Sequence, residues 1–176
     1  MKLDVTWLKN NHQMIHYFGL GFIQLKIDKN TRLHFYNKKL PPIVSKEDIH
    51  NHRYDFTSEI LLGTLIQEIY EVVPGDTHYL EDESCQVDVK VESKPKLCSV
   101  QMSSRHIHSP KSSYLISHTT FHRVYCDFEC ITLLNRTDYK KQLAQVIRPI
   151  EGAKVCPFSQ KVKEEYLWNI IEEMLK

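Results

Sequence analysis

Residues 21–27 read GFIQLKI, which sets Phe22, Gln24 and Lys26 against Ile23, Leu25 and Ile27. Successive strand residues point to opposite faces, so this alternation predicts a half-buried strand. Asp28-Lys29-Asn30-Thr31 is a turn, and RLHFYN (32–37) is the returning strand of a hairpin. Pro41 and Pro42 then break the chain. Further strand-like pieces follow at ILLGTLIQEIYEV (60–72), CQVDVKVE (85–92), KLCSVQM (96–102), SSYLISHT (112–119), ECITLLNR (129–136) and QLAQVIRP (142–149). Gly63 is a point where the first of these bends, and Pro74-Gly75-Asp76 is a turn. Lys94-Pro95-Lys96 ends the 85–92 strand. Turn signals this frequent predict an all-β sandwich or barrel.

Two segments break the β pattern. Residues 4–17 (DVTWLKNNHQMIHY) place Val5, Leu8 and Ile15 near a 3.6-residue period and predict a short N-terminal helix. Residues 159–176 (SQKVKEEYLWNIIEEMLK) predict an amphipathic C-terminal helix. Its N-cap is Ser159, and its apolar stripe includes Val162, Leu167, Ile170 and Ile171. That stripe packs on the sheet or on a partner subunit. With no repeat or linker, the expectation is one domain over 1–176, its barrel spanning about 19–150.

Composition narrows the function classes. The chain has 176 residues, 41% hydrophobic and 26% charged, with a formal net charge of +1. No basic run interleaves with aromatics, so neither nucleic acid nor an anionic membrane is an expected partner. The N-terminal MKLDVTWLKNN lacks an apolar run of signal-peptide length, and no stretch nears the roughly 20 apolar residues of a membrane span. A cytoplasmic location is expected. The five cysteines (85, 98, 126, 130 and 156) contain no Cys-x-x-Cys pair and read as reduced packing thiols. Cys126 and Cys130 would share a face if they lay on one regular strand. Histidine is the enriched ligand type, at 10 residues.

Two histidine segments carry the candidate chemistry. His50 and His52 flank Asn51, and i and i+2 of a strand share a face, so two imidazoles would stand side by side. Gly63 follows within IHNHRYDFTSEILLGTL (49–65), and SHTTFHRVYCDFECITLLNRT (117–137) later supplies His122. This order resembles the cupin superfamily, over about residues 20–135. The resemblance implies a cupin-like antiparallel β-barrel or jelly roll, with His50, His52 and His122 as three imidazole ligands of one divalent metal. The carboxylate usual in the first cupin motif is missing: its place falls at Phe56 or Thr57. Asp55 is the candidate fourth ligand, although a regular strand would turn it away.

Three imidazoles without a carboxylate leave open positions on an ion and an uncompensated charge, which a small anionic substrate would balance. Within the cupins the pattern resembles the thiol dioxygenases, and His122-Arg123-Val124 sits well with their second motif. That resemblance implies Fe(II), with zinc, nickel or manganese as alternatives, and a non-haem iron dioxygenase-type oxidoreductase acting on a small polar or anionic molecule. The departures are Phe56 near the place where some members carry a crosslinking cysteine, and Thr132, Leu134 and Arg136 where the family carries Ser, His and Tyr. No arginine clearly matches the family's substrate-carboxylate ligand. The other readings are a non-catalytic ligand-binding cupin and a metal-assisted hydrolase or isomerase. His118 and Tyr114 are candidate catalytic groups, against a surface histidine and a core tyrosine. Arg136, Arg123 and Phe56 are candidate substrate contacts. His106-Ile107-His108 reads as a loop feature or lid. Exposed edge strands favour a homodimer.

Overall fold

The computed structural model describes residues 3–40, 49–84, 94–151 and 162–176. The elements in order are α1 (Val5–Asn11), β1 (Met14–Phe18), β2 (Phe22–Lys26), β3 (Thr31–Tyr36), β4 (Ile49–His50), β5 (Phe56–Gly63), β6 (Leu65–Glu83), β7 (Lys96–His108), β8 (Ser113–Ile116), β9 (Phe121–Tyr125), β10 (Cys130–Arg136), β11 (Ala144–Pro149) and α2 (Glu164–Met174). The fold is mainly β, in two antiparallel sheets, as expected. One sheet runs β1-β2-β3-β10-β5-β8 and the other β11-β4-β9-β6-β7. In the second sheet β6 is long enough to pair with β9 through 66–70 and with β11 through 78–83. Because β4 pairs with both β9 and β11, these four strands form a ring of pairings. The layout is compatible with a cupin-like jelly roll. No helix among the described residues is long and apolar enough to cross a membrane.

Strand alternation explains where the cores lie. Ile23, Leu25, Leu33, Phe35 and Ile131 put one face of the first sheet against Leu167, Trp168, Ile170 and Ile171 of α2. Each large apolar side chain buried there contributes about 1.5–3 kcal/mol. The opposite face turns toward the second sheet: Phe22, Tyr36 and Ile60 meet Leu65 and Val124, and Phe56 and Leu134 meet Ile69. A further core of Ile49, Ile147, Leu80 and Phe121 lies within the ring of pairings.

Several local expectations are corrected. The helix expected over 4–17 ends at Asn11, and 14–18 form β1 instead. Asp4 caps α1 by accepting from Trp7 N at 2.7 Å, whereas Met14–Phe18 gain a full ladder against β2. Pro74-Gly75-Asp76 is not a hairpin turn. It lies inside β6 as an irregularity, where the register jumps from Val73↔Ser99 to His78↔Cys98. His106 and His108 are not in a loop: they lie on β7, opposite Gln67 and Leu65. Cys126 and Cys130 do not share a strand, because the chain turns between β9 and β10. Cys98, Cys126 and Cys130 are free thiols, and burial pushes Cys126 up to about 11 and Cys130 up to about 12. The strand expected over 85–92, the helix start at Ser159, and Cys85 and Cys156 lie outside the described residues. Helix α2 begins at Glu164, with Glu164 and Glu165 in its first turn, where negative charge suits the helix dipole.

Candidate metal centre

His50 and His122 are direct cross-strand partners between β4 and β9. Their neighbours Ile49 and Phe121 face the core inside the ring of pairings, so alternation sends both imidazoles to the other side. The residue between the two histidines is fixed just as firmly. Asn51 N donates to Gln145 O at 3.0 Å, and Asn51 Oδ1 accepts from Gln145 N and from Lys141 Nζ, both at 2.8 Å. Asn51 is only 2% exposed. Pinning its side chain to the start of β11 leaves His50 and His52 together on the opposite side.

The three histidines form one cluster. Ring centroids are 4.8 Å apart for His50–His52, 5.0 Å for His50–His122 and 5.1 Å for His52–His122. One ligand atom from each lies within 4.8 Å of the others. His52 Nε2 and His122 Nε2 are 2.9 Å apart, so one ring donates its N–H to the other. Two nitrogens each about 2.1 Å from an ion stand about 3.0 Å apart at a right angle and about 3.4 Å at a tetrahedral one. The His52–His122 pair already has the right-angle spacing, and a ligand atom of His50 lies within 4.8 Å of both. His122 is buried while His50 and His52 are half-buried. Burial, followed by the neighbouring histidines, holds His52 well below the ordinary imidazole value, and burial and then His50 do the same for His122. Neutral imidazoles keep the lone pairs that a metal needs. The donor set therefore fits a divalent cation, and among the described residues no carboxylate joins it.

The surroundings are aromatic on one side and polar on another. Phe56, 3% exposed, meets His52 edge-on at 4.8 Å and lies 6.0 Å from His122. The Tyr54 ring is 5.5 Å from His52. Arg32, from β3, donates through Nη1 to Tyr54 Oη at 2.9 Å and to Gln24 Oε1 at 3.2 Å. Among the described residues its Nε is buried without a hydrogen-bond partner, as is Nε2 of His34 two residues on. Burial, and then Arg32, pushes His34 down to about 3. Arg32 is also among the charges that depress His52.

The other expected residues are placed as follows. Asp55 does not join the histidines: its Oδ1 accepts from His118 N and meets His118 Nδ1, both at 2.7 Å. His118 is thereby half-buried in an acid–imidazole couple on the turn after β8. Tyr114 faces inward, stacked on His108 at 4.3 Å, with Phe56 between it and the histidines. Burial pushes its phenol up to about 12 against a lowering hydrogen bond with Ser58. Arg136 is one ring away, with Tyr54 between: its guanidinium lies 5.1 Å from that ring, and Nε donates to Lys29 O at 2.9 Å. Arg123 takes the face opposite His122. There it is hydrogen-bonded to Glu68, which also accepts from Tyr70 Oη at 2.7 Å and Tyr125 Oη at 3.2 Å. The expected substrate contact by Arg123 is therefore corrected by the alternation of β9.

Sequence reasoning missed Asn51, Tyr54, Arg32, Gln24 and His34. The last three had a signal. Gln24, Arg32 and His34 occupy alternate positions on both strands of the first hairpin, and the face they share with Phe22 is the one turned toward the second sheet.

No protein-family profile and no curated protein matches the chain. Among solved structures it is similar to hydroquinone 1,2-dioxygenase from Sphingomonas sp. TTNP3, solved with 4-hydroxybenzoate bound. The TM-score is 0.36 and the identity 9%, over 64% of this chain and 62% of that one.

Proposed function

We propose that this chain is a metal-dependent oxidoreductase of the cupin type, a non-haem iron dioxygenase acting on a small anionic molecule. The carrying observation is the convergence of His50, His52 and His122, from segments 70 residues apart, into one cluster that no carboxylate among the described residues joins. Bound there, Fe(II) would supply open positions for substrate and O₂ and the redox chemistry itself. The protein's own residues bind and orient. Arg32 is the anchor for the substrate's negative group, because its guanidinium already points to Gln24 and Tyr54 and its buried Nε–H has no partner among the described residues. Gln24 Oε1 and Tyr54 Oη hold that guanidinium in place. Phe56 and Tyr54 close the apolar side and exclude water. His34 Nε2 offers the substrate a further polar contact from the same face. Tyr114 lies behind Phe56 as support for that wall.

The test is O₂ uptake after anaerobic loading with Fe(II), across a panel of small thiols and carboxylates. The proposal expects uptake that needs both iron and one class of anionic substrate, and a loss of about 10²-fold or more in kcat/KM in Arg32→Gln. Uptake in no member of the panel, or uptake unchanged in Arg32→Gln, would count against it.

A further inference from the structure

Four cations converge beyond the histidine cluster, and among the described residues none of them forms a direct ion pair with a carboxylate. Arg53, Lys140 and Lys141 line a cavity of about 580 Å³ together with Tyr139, Ser84 and Gln142. The Tyr139 ring lies 4.5 Å from the Arg53 guanidinium and 4.4 Å from that of Arg136, which is buried. The acids in the neighbourhood act on these cations only through space, Asp82 on Lys141 and Asp55 and Asp138 on Lys140, and each makes its direct contact elsewhere. Asp138 pairs with Lys29 at 3.0 Å, Asp55 with His118 at 2.7 Å, and Asp82 accepts from Gln145 Nε2 at 3.1 Å. Arg53 Nε is buried without a hydrogen-bond partner among the described residues. The segments that carry the charges are tied together: Lys140 N and Lys141 N donate to Arg53 O at 2.7 and 3.3 Å. Like charges lining one cavity repel, and the repulsion is relieved by an anion.

We propose that this cavity binds a phosphate group, either the free ion or a phosphate monoester. Phosphate carries up to two charges and several acceptor oxygens, which suits a guanidinium fork flanked by two ammonium groups. A single carboxylate would leave cations unsatisfied. The volume falls in the range of small-ligand pockets. Tyr54 separates this cavity from the histidine cluster, since its ring contacts both His52 and Arg136. The inference therefore stands apart from the metal reading.

The test is calorimetric titration of the full chain with inorganic phosphate and, in parallel, glycerol 2-phosphate, against chloride at equal ionic strength. It is run on the wild type, on His50→Ala/His122→Ala and on Arg53→Gln/Lys140→Gln. Saturable binding near one per chain is expected in the first two proteins. It should weaken about 10²-fold in the third, about tenfold for each cation removed. Tighter binding of the ester assigns the site to an organophosphate, and tighter binding of the free ion assigns it to phosphate itself. No saturable binding in the wild type overturns the inference. So does equal affinity in Arg53→Gln/Lys140→Gln, or loss confined to the histidine variant. Lys140→Gln alone, at an exposed position, gives a folded protein for the comparison, and it should still bind about tenfold more weakly.

Discussion

Replacing Gly63 with alanine should be among the most damaging single-methyl additions in the fold. Gly63 ends β5 with φ +73°, in the left-handed region that disfavours a side chain. A Cβ there would lie 1.9 Å from Glu129 O, 2.9 Å from Glu129 C and 3.0 Å from Cys130 Cα. These are backbone atoms, and Cys130 is the register partner of Gly63 at the start of β10. No rotamer change relieves the clash, so the ladder itself must shift. The left-handed backbone contributes about 1–2 kcal/mol. Forcing a methyl into a packed site adds about 1–3 kcal/mol. Together they give about 2–5 kcal/mol, which for a chain of this size lowers Tm by about 4–20 °C. Circular dichroism melts, with urea unfolding at fixed pH, measure the change. A Gly63→Ala protein within 1 kcal/mol of wild type would refute both the assigned backbone conformation and the close approach of β10.

Glu68 is buried, and hydrogen bonds led by Arg123 and then Tyr70 outweigh the burial that would raise its carboxyl, holding it below the ordinary value. Glu68→Gln should cost about 2–4 kcal/mol at neutral pH by leaving Arg123 without its anion. Because the folded value is lowered, this stabilisation is full above the unfolded carboxylate pKa and is lost as pH falls through the folded one. The variant should therefore lose the corresponding part of the acid slope below about pH 4.5, as read by urea unfolding across that range. His34, pushed down to about 3, charges in the unfolded chain first, so stability should fall as pH drops from about 6.5 toward 3. His34→Leu should remove about 1.4 kcal/mol per pH unit of that fall, and an unchanged slope between pH 6 and 5 would show that His34 is not buried and neutral. Trp168→Ala should cost about 3–5 kcal/mol on the helix side of the first sheet while leaving metal content intact, because α2 packs on the face away from the histidines.

What the sequence disclosed follows from how local each signal is. The β2–β3 hairpin, Gly63 at the end of β5 and the α2 stripe rest on period and turn chemistry within a few residues, and each was readable. The His50/His52 pairing was readable because i and i+2 share a face, although Asn51, which enforces it, depends on β11 some 94 residues away. Residues 14–18 formed a strand through pairing with β2, a tertiary preference that the Val5–Leu8–Ile15 spacing could not reveal. Gln24, Arg32 and His34 were missed for a related reason: alternation tells which residues share a face, but not whether that face meets water or a second sheet. His106 and His108 sat among serines and a proline that signal a loop, yet the ladder with β6 extends the strand through them.

The most direct test of the central claim is metal stoichiometry by plasma mass spectrometry. It would compare anaerobically loaded wild type with His50→Ala, His52→Ala, His122→Ala and Arg123→Ala. The account predicts close to one ion per chain in the wild type and in Arg123→Ala, whose side chain faces away, and loss of the ion in each histidine variant. An ion retained in the histidine variants, or none bound by the wild type, would contradict it.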